Sequence, residues 1–106
     1  MKLSDLTQKT RTVAVQVDDQ EVPLTYRVHV ITPGFLAAVQ ELDDLDAIMY
    51  QIEQVIVSWD VLDDDGNSIP ATKDAILKFG IPLEFLTRVL TAITADMRMS
   101  KDEKNS

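Results

Sequence analysis

The chain has 106 residues, no cysteine, one histidine and a net charge of −8 at pH 7. That length is one domain with one modest core, and 45% apolar with 26% charged residues is a globular composition. Without cysteine there is no disulfide scaffold, thiolate zinc site or cysteine nucleophile, and His29 alone cannot make a two-histidine metal site. The acid excess excludes non-specific nucleic-acid binding, because phosphates must be met by Lys and Arg.

Residues 1–11 are polar and lack a clear period, so they read as a flexible N-terminal arm. They hold no apolar core of a signal peptide. No apolar run approaches the ~18 residues that a membrane span needs. The expectation is a soluble intracellular protein with no membrane partner.

Thr12–Val17 alternates, with Val13, Val15 and Val17 on one face. Leu24–Ile31 alternates as well, with Leu24, Tyr26, Val28 and Val30 together. Asp18–Glu21 is a polar connection of hairpin length, and Pro23 stands at a strand entrance. These features predict a β-hairpin over 12–31. His29 falls on its polar face with Thr25 and Arg27.

Thr32 can cap a helix that Pro33 starts, and Phe35, Leu36, Val39 and Leu42 recur at helical spacing. Asp43-Asp44 breaks that pattern and can cap a second helix. Its stripe is Leu45, Ile48, Met49, Ile52, Val55, Ile56 and Trp59, with Asp46 in the first turn as the helix dipole favours. Asp60–Pro70 is a loop with turn chemistry at Asp65-Gly66-Asn67. Thr72 caps a short helix over Lys73–Phe79, Gly80 closes it, and Pro82 starts a last helix striped by Leu86, Val89, Leu90, Ile93 and Met97. The expected fold is α+β: an N-terminal β-hairpin followed by a compact bundle of about four helices, one domain over 12–98, with a flexible polar tail over 99–106.

Charge is distributed unevenly. Met1–Ile31 has four bases and four acids, Thr32–Thr72 has nine acids and no base, and Lys73–Ser106 has six bases and five acids. The central stretch therefore carries the excess, either as a solvated face or as a surface for a basic partner.

No pattern for catalysis emerges. In Asp63-Asp64-Asp65-Gly66 an EF-hand register puts Val61 at the first ligand position and Thr72 at the twelfth, where neither can serve, so a solvated turn is the better account. Asp43, Asp44 and Asp46 are explained as helix-start acids. The three glycines are scattered, and no serine sits in a nucleophile elbow. The reading is therefore non-enzymatic, with no cofactor and no metal. Trp59 stands between an apolar helix and an acidic loop, either as a core anchor or as half of a binding surface. Phe79, Ile81, Leu83 and Phe85 cluster about a Gly/Pro joint, and if unburied they make a docking patch.

The stretch Val57–Asp96 resembles the tail assembly chaperones of long-tailed, siphovirus-like bacteriophages. The resemblance rests on Trp59, the acidic turn Asp63–Gly66, Pro70, Thr72, and the closing Leu86–Ile93 segment. It implies a protein that binds the helical, aggregation-prone tape measure protein, helps recruit tail tube protein, works in the host cytoplasm and is absent from the mature virion. It also implies that a short and a frameshift-extended form can exist. On this reading partner binding falls to Trp59, Phe79, Ile81, Leu83, Phe85, Leu86, Val89 and Leu90, with Asp63, Asp64 and Asp65 supplying charge. Two rivals are a structural tail or tube-associated virion component whose hairpin edge pairs with neighbours, and an acidic inhibitor of a basic nucleic-acid-binding protein.

Overall fold

The alternating segments of the first third form the expected hairpin. The computed structural model describes the backbone of residues 1–6 and 9–105; it opens with a single helical turn, α1 (Leu3–Leu6), and Thr7 and Gln8 of the expected arm lie outside the described residues. Strand β1 (Thr10–Val17) pairs antiparallel with β2 (Gln20–Arg27) through the two-residue turn Asp18-Asp19. Asp18 takes the left-handed φ of 52° that a tight hairpin turn needs at its first central position. β1 thus starts two residues before the expected boundary, inside the arm.

The second strand is displaced from the alternating segment: it starts at Gln20, four residues before the expected Leu24, so that Glu21 and Pro23 lie within it and not in the connection or at its entrance. It stops at Arg27, and Val28–Val30 form one turn of 3-10 helix whose first N–H bonds the Lys9 carbonyl at 3.2 Å. Val28 and Val30 therefore do not extend the sheet face. His29 is half-buried instead of standing on an open strand, and its Nδ1 is enclosed without a hydrogen-bond partner.

Helix α2 (Pro33–Gln40) begins as read: the Thr32 hydroxyl accepts from the Phe35 N–H at 3.1 Å, and proline occupies its first turn. α2 buries none of its residues, and Leu36 stays 48% exposed. Helix α3 (Asp44–Val55) follows, preceded by Asp43, which makes no side-chain cap bond.

The largest departure lies at the end of α3. The apolar stripe suggests helix as far as Trp59, yet Ile56–Trp59 is a strand, β3, paired antiparallel with β2 so that Leu24 faces Trp59 and Tyr26 faces Ile56. The β-branched run Val55-Ile56-Val57 loses side-chain freedom in a helix and suits a pleated surface. β2 offers the free edge that such a run can satisfy. The sheet order is β1-β2-β3, with a bulge between Thr25 and Tyr26. The fold is α+β, as the pattern predicted, with a third strand inserted between helices.

Helix α4 (Lys73–Phe79) is capped by the Thr72 hydroxyl, which accepts from Ala75 N–H at 3.2 Å, and it closes on Gly80 at φ 66°. Helix α5 (Leu83–Asn105) runs past the expected end near 98, so the backbone of 99–105 continues the helix, while Ser106 lies outside the described residues.

α5 packs on β1, α3 packs on α5 and α4 packs on α3, and the core between them includes Leu24, Tyr26, Ile52, Trp59, Leu86 and Val89. A polar clamp closes this layer. The Tyr26 hydroxyl donates to Asp96 Oδ2 at 2.7 Å and Arg11 Nε donates to the same oxygen at 2.9 Å, so β1, β2 and α5 are tied at one carboxylate. Burial pushes the Tyr26 phenol well above its ordinary range, and the hydrogen bond to Asp96 adds to the shift.

Candidate functional site

Trp59 belongs to the core. It is 6% exposed, its Nε1 donates to the Ile69 carbonyl at 2.6 Å, and its ring packs on Phe85 at 5.8 Å between centroids. This anchors the Asp60–Pro70 loop against the sheet, so the tryptophan is not a binding surface. Leu86 and Val89 are likewise sealed, on the sheet-facing stripe of α5. Phe85 is half-buried because Trp59 covers it.

The remaining apolar candidates separate. Ile81 and Leu83 line a groove of about 270 Å³ with Leu45, Ile48, Met49, Ile76 and Leu77, and buried Leu86 lies at its floor. Leu45, Leu77 and Leu83 stay 59%, 62% and 48% exposed. Phe79 lies outside that lining, partly exposed, with the Lys78 ammonium 5.4 Å from its ring centroid. Leu90 faces elsewhere, into a second apolar groove of about 340 Å³ between α2, α3 and α5 that also takes Ile31, Phe35, Val55, Ile93 and Met97. The segment 79–93 therefore does not make one continuous groove: its second half turns its stripe onto the sheet.

The sequence reading assigned Ile81, Leu83 and Leu86 to the site and missed the rest of the lining, including its two most exposed leucines, Leu45 and Leu77. Leu45 belongs to the α3 stripe but lies in the first turn, before that helix reaches the core. Leu77 lies about 100° round the helix from Ile76 and about 200° from Ala75, the two buried positions of α4. A seven-residue helix that buries those two must turn Leu77 outward.

Acidic residues stand at the helix starts that supply Leu45 and Leu83, and Lys78 follows Leu77. Asp44 and Asp46 occupy the first turn of α3, Asp74 that of α4 and Glu84 that of α5, where each complements a helix N-terminus. Lys73 reaches Asp46 at 3.5 Å and Arg88 reaches Glu84 at 2.8 Å. Among the described residues Asp43, Asp44 and Asp74 enter no ion pair. The acids of the Asp60–Pro70 loop do a different job. Asp63 Oδ1 accepts from the N–H groups of Asp65 and Asn67, both at 2.9 Å, which fixes the turn, while Asp64 and Asp65 project into solvent.

Chemically, the surface is an apolar trough, and the helices that build it carry charges of both signs. Among the described residues no three His, Asp or Glu side chains gather as metal ligands, and no helix is long and apolar enough to cross a membrane. Compared with protein-family models, curated proteins and solved structures, the chain matches none of them.

Proposed function

We propose that this protein is a phage tail assembly chaperone, a non-enzymatic holdase that binds the tape measure protein and keeps it soluble in the host cytoplasm during tail tube assembly. The observation that carries this reading is the trio of exposed leucines, Leu45, Leu77 and Leu83, around one groove. The resemblance over Val57–Asp96 supports it from the sequence side.

An amphipathic helix presents apolar anchors at i, i+3, i+4 and i+7, and a trough of this kind receives them. Burying one leucine contributes about 1.5–3 kcal/mol before the costs of association are met. Several such contacts along a long helical client give reversible coating without trapping it. Lys and Arg beside the client's apolar stripe meet Asp43, Asp44 and Asp74, which speeds encounter and sets orientation. Tail tube protein competing for the same client displaces the chaperone, and the mature virion lacks it.

The test is a pull-down of the tagged protein co-expressed with the tape measure protein, eluted at low and high salt. Capture that persists at high salt and disappears in Leu77→Ser/Leu83→Ser is the expected result. Leu86 is no probe for this purpose, because its substitution damages the core. Release of the client at moderate salt with the double variant unaffected points to the acidic-inhibitor reading instead. Recovery of the protein from purified virions overturns the chaperone reading in favour of a structural component.

A further inference from the structure

The outer edge of β1 takes part in neither groove. β1 lies at one end of the sheet, and its register on β2 fixes which backbone groups face outward. Val17 and Gln20 close the two-residue turn and so exchange hydrogen bonds. Alternation makes Val15 with Val22, and Val13 with Leu24, bonded pairs as well. Thr12, Ala14 and Gln16 then aim N–H and C=O away from β2.

Three contacts agree with that assignment. Pro23, which has no N–H, stands opposite Ala14, and its carbonyl accepts from Asp60 on the β3 side at 3.0 Å. The hydroxyls of Thr12 and Thr25 meet at 3.0 Å, as the closer approach of a non-bonded pair allows. The outward Gln16 carbonyl accepts from Arg88 of α5 at 3.1 Å.

Exposed edges are usually blunted by proline, lysine or a bulge. The eight residues of β1 contain no proline and no lysine, and their pairing with β2 runs without a bulge; the one charge on the strand, Arg11, is turned to Asp96, and Arg88 of α5 meets the edge at the Gln16 carbonyl alone among the described residues. β3, at the other end of the sheet, is four residues long and bulged against β2. Beside the β1 edge lies a shallow groove of about 300 Å³ whose α5 wall includes Thr87, Thr91, Ala92 and Ala95, small side chains that leave room for a further element.

We propose that β1 pairs antiparallel with β1 of a second copy of the chain, joining two three-stranded sheets into one of six strands. Charge favours a second copy. Each chain carries −8, yet Met1–Ile31 is neutral, so this edge lets two acidic molecules meet with least repulsion. The strand is also self-complementary, as a two-fold interface requires. With Ala14 opposite Ala14, the smallest exposed side chain of the strand sits on the axis and Thr12 faces Gln16 of the second copy. This inference stands apart from the chaperone reading.

Sedimentation equilibrium of the full chain over a wide concentration range tests it. The wild type is expected to approach twice the chain mass. Ala14→Lys sets two lysines face to face at the axis, on an exposed position, and is expected to weaken association about tenfold or more while the circular dichroism spectrum is unchanged. Amide exchange of the wild type supplies a second readout that needs no variant: the Thr12 and Ala14 N–H groups are slow at high concentration and fast on dilution. A chain that stays monomeric with fast-exchanging amides overturns the proposal. So does a dimer that survives Ala14→Lys but is split by Leu77→Ser, which would place the interface on the helical groove, or a dimer whose Thr12 and Ala14 amides stay fast.

Discussion

Where α5 crosses the sheet, Leu24, Tyr26 and Val89 are at most 2% exposed, whereas at the starts of α3 and α5 and in the middle of α4 three leucines keep roughly half of their surface in water. The same residue type serves opposite ends because the elements differ in reach. A pleated face offers a continuous surface that a long helix can follow turn after turn, and α5 lays Leu86, Val89 and Ile93 along it. α4 has seven residues and buries Ala75 and Ile76. One region spends its apolar area on stability, and the other leaves it available to a partner. Charge does not follow the division: Asp96 pairs with Arg11 at the sheet, and Asp46 and Glu84 pair with Lys73 and Arg88 on the helices beside the groove.

The contrast is broken most severely by Trp59→Ala. Loss of that buried ring and of its bond to Ile69 is expected to cost about 3–5 kcal/mol, read as a fall in the denaturant midpoint. Next comes Asp96→Ala, which leaves the buried Tyr26 hydroxyl without its acceptor and Arg11 without its carboxylate. A loss of about 2–3 kcal/mol in chemical denaturation is expected.

A third experiment uses pH. Burial, then the bond to Asp96, keeps the Tyr26 phenol protonated above its ordinary pKa of 10.0. The unfolded chain releases that proton near pH 10 while the folded chain retains it. The stabilisation is therefore complete below pH 10 and is lost as pH rises through the folded-state value. Denaturant midpoints between about pH 9 and 11 are expected to fall, and to fall less steeply in Tyr26→Phe. The smallest effect sharpens the comparison from the other side: Leu77→Ser is expected to change stability by no more than about 0.5 kcal/mol while client capture drops. A larger loss in thermal melting would mean that Leu77 supports the fold after all.

Legibility in the sequence followed the range of the interactions. The hairpin was readable from Val13, Val15 and Val17, the α4 cap from Thr72, and its stop from Gly80, because each depends on neighbours a few residues away. β3 was not readable, since Ile56–Trp59 continues the apolar period of α3 and becomes a strand by pairing with β2, some thirty positions back in the chain. The groove was half-readable. Ile81 and Leu83 stood out beside Gly80 and Pro82, but Leu45 and Leu77 needed to be seen turned away from the core. Trp59, Leu86 and Val89 looked equally suited to a surface or an interior.

By itself the sequence determined the class of fold, the caps and turns, the acidic centre and the neutral first third, because these follow from local stereochemistry and from counting charges. Tertiary structure alone decided which apolar residues the sheet consumed and which were left at the rim. Burial is a competition among all elements for one limited core, and no single segment carries its outcome.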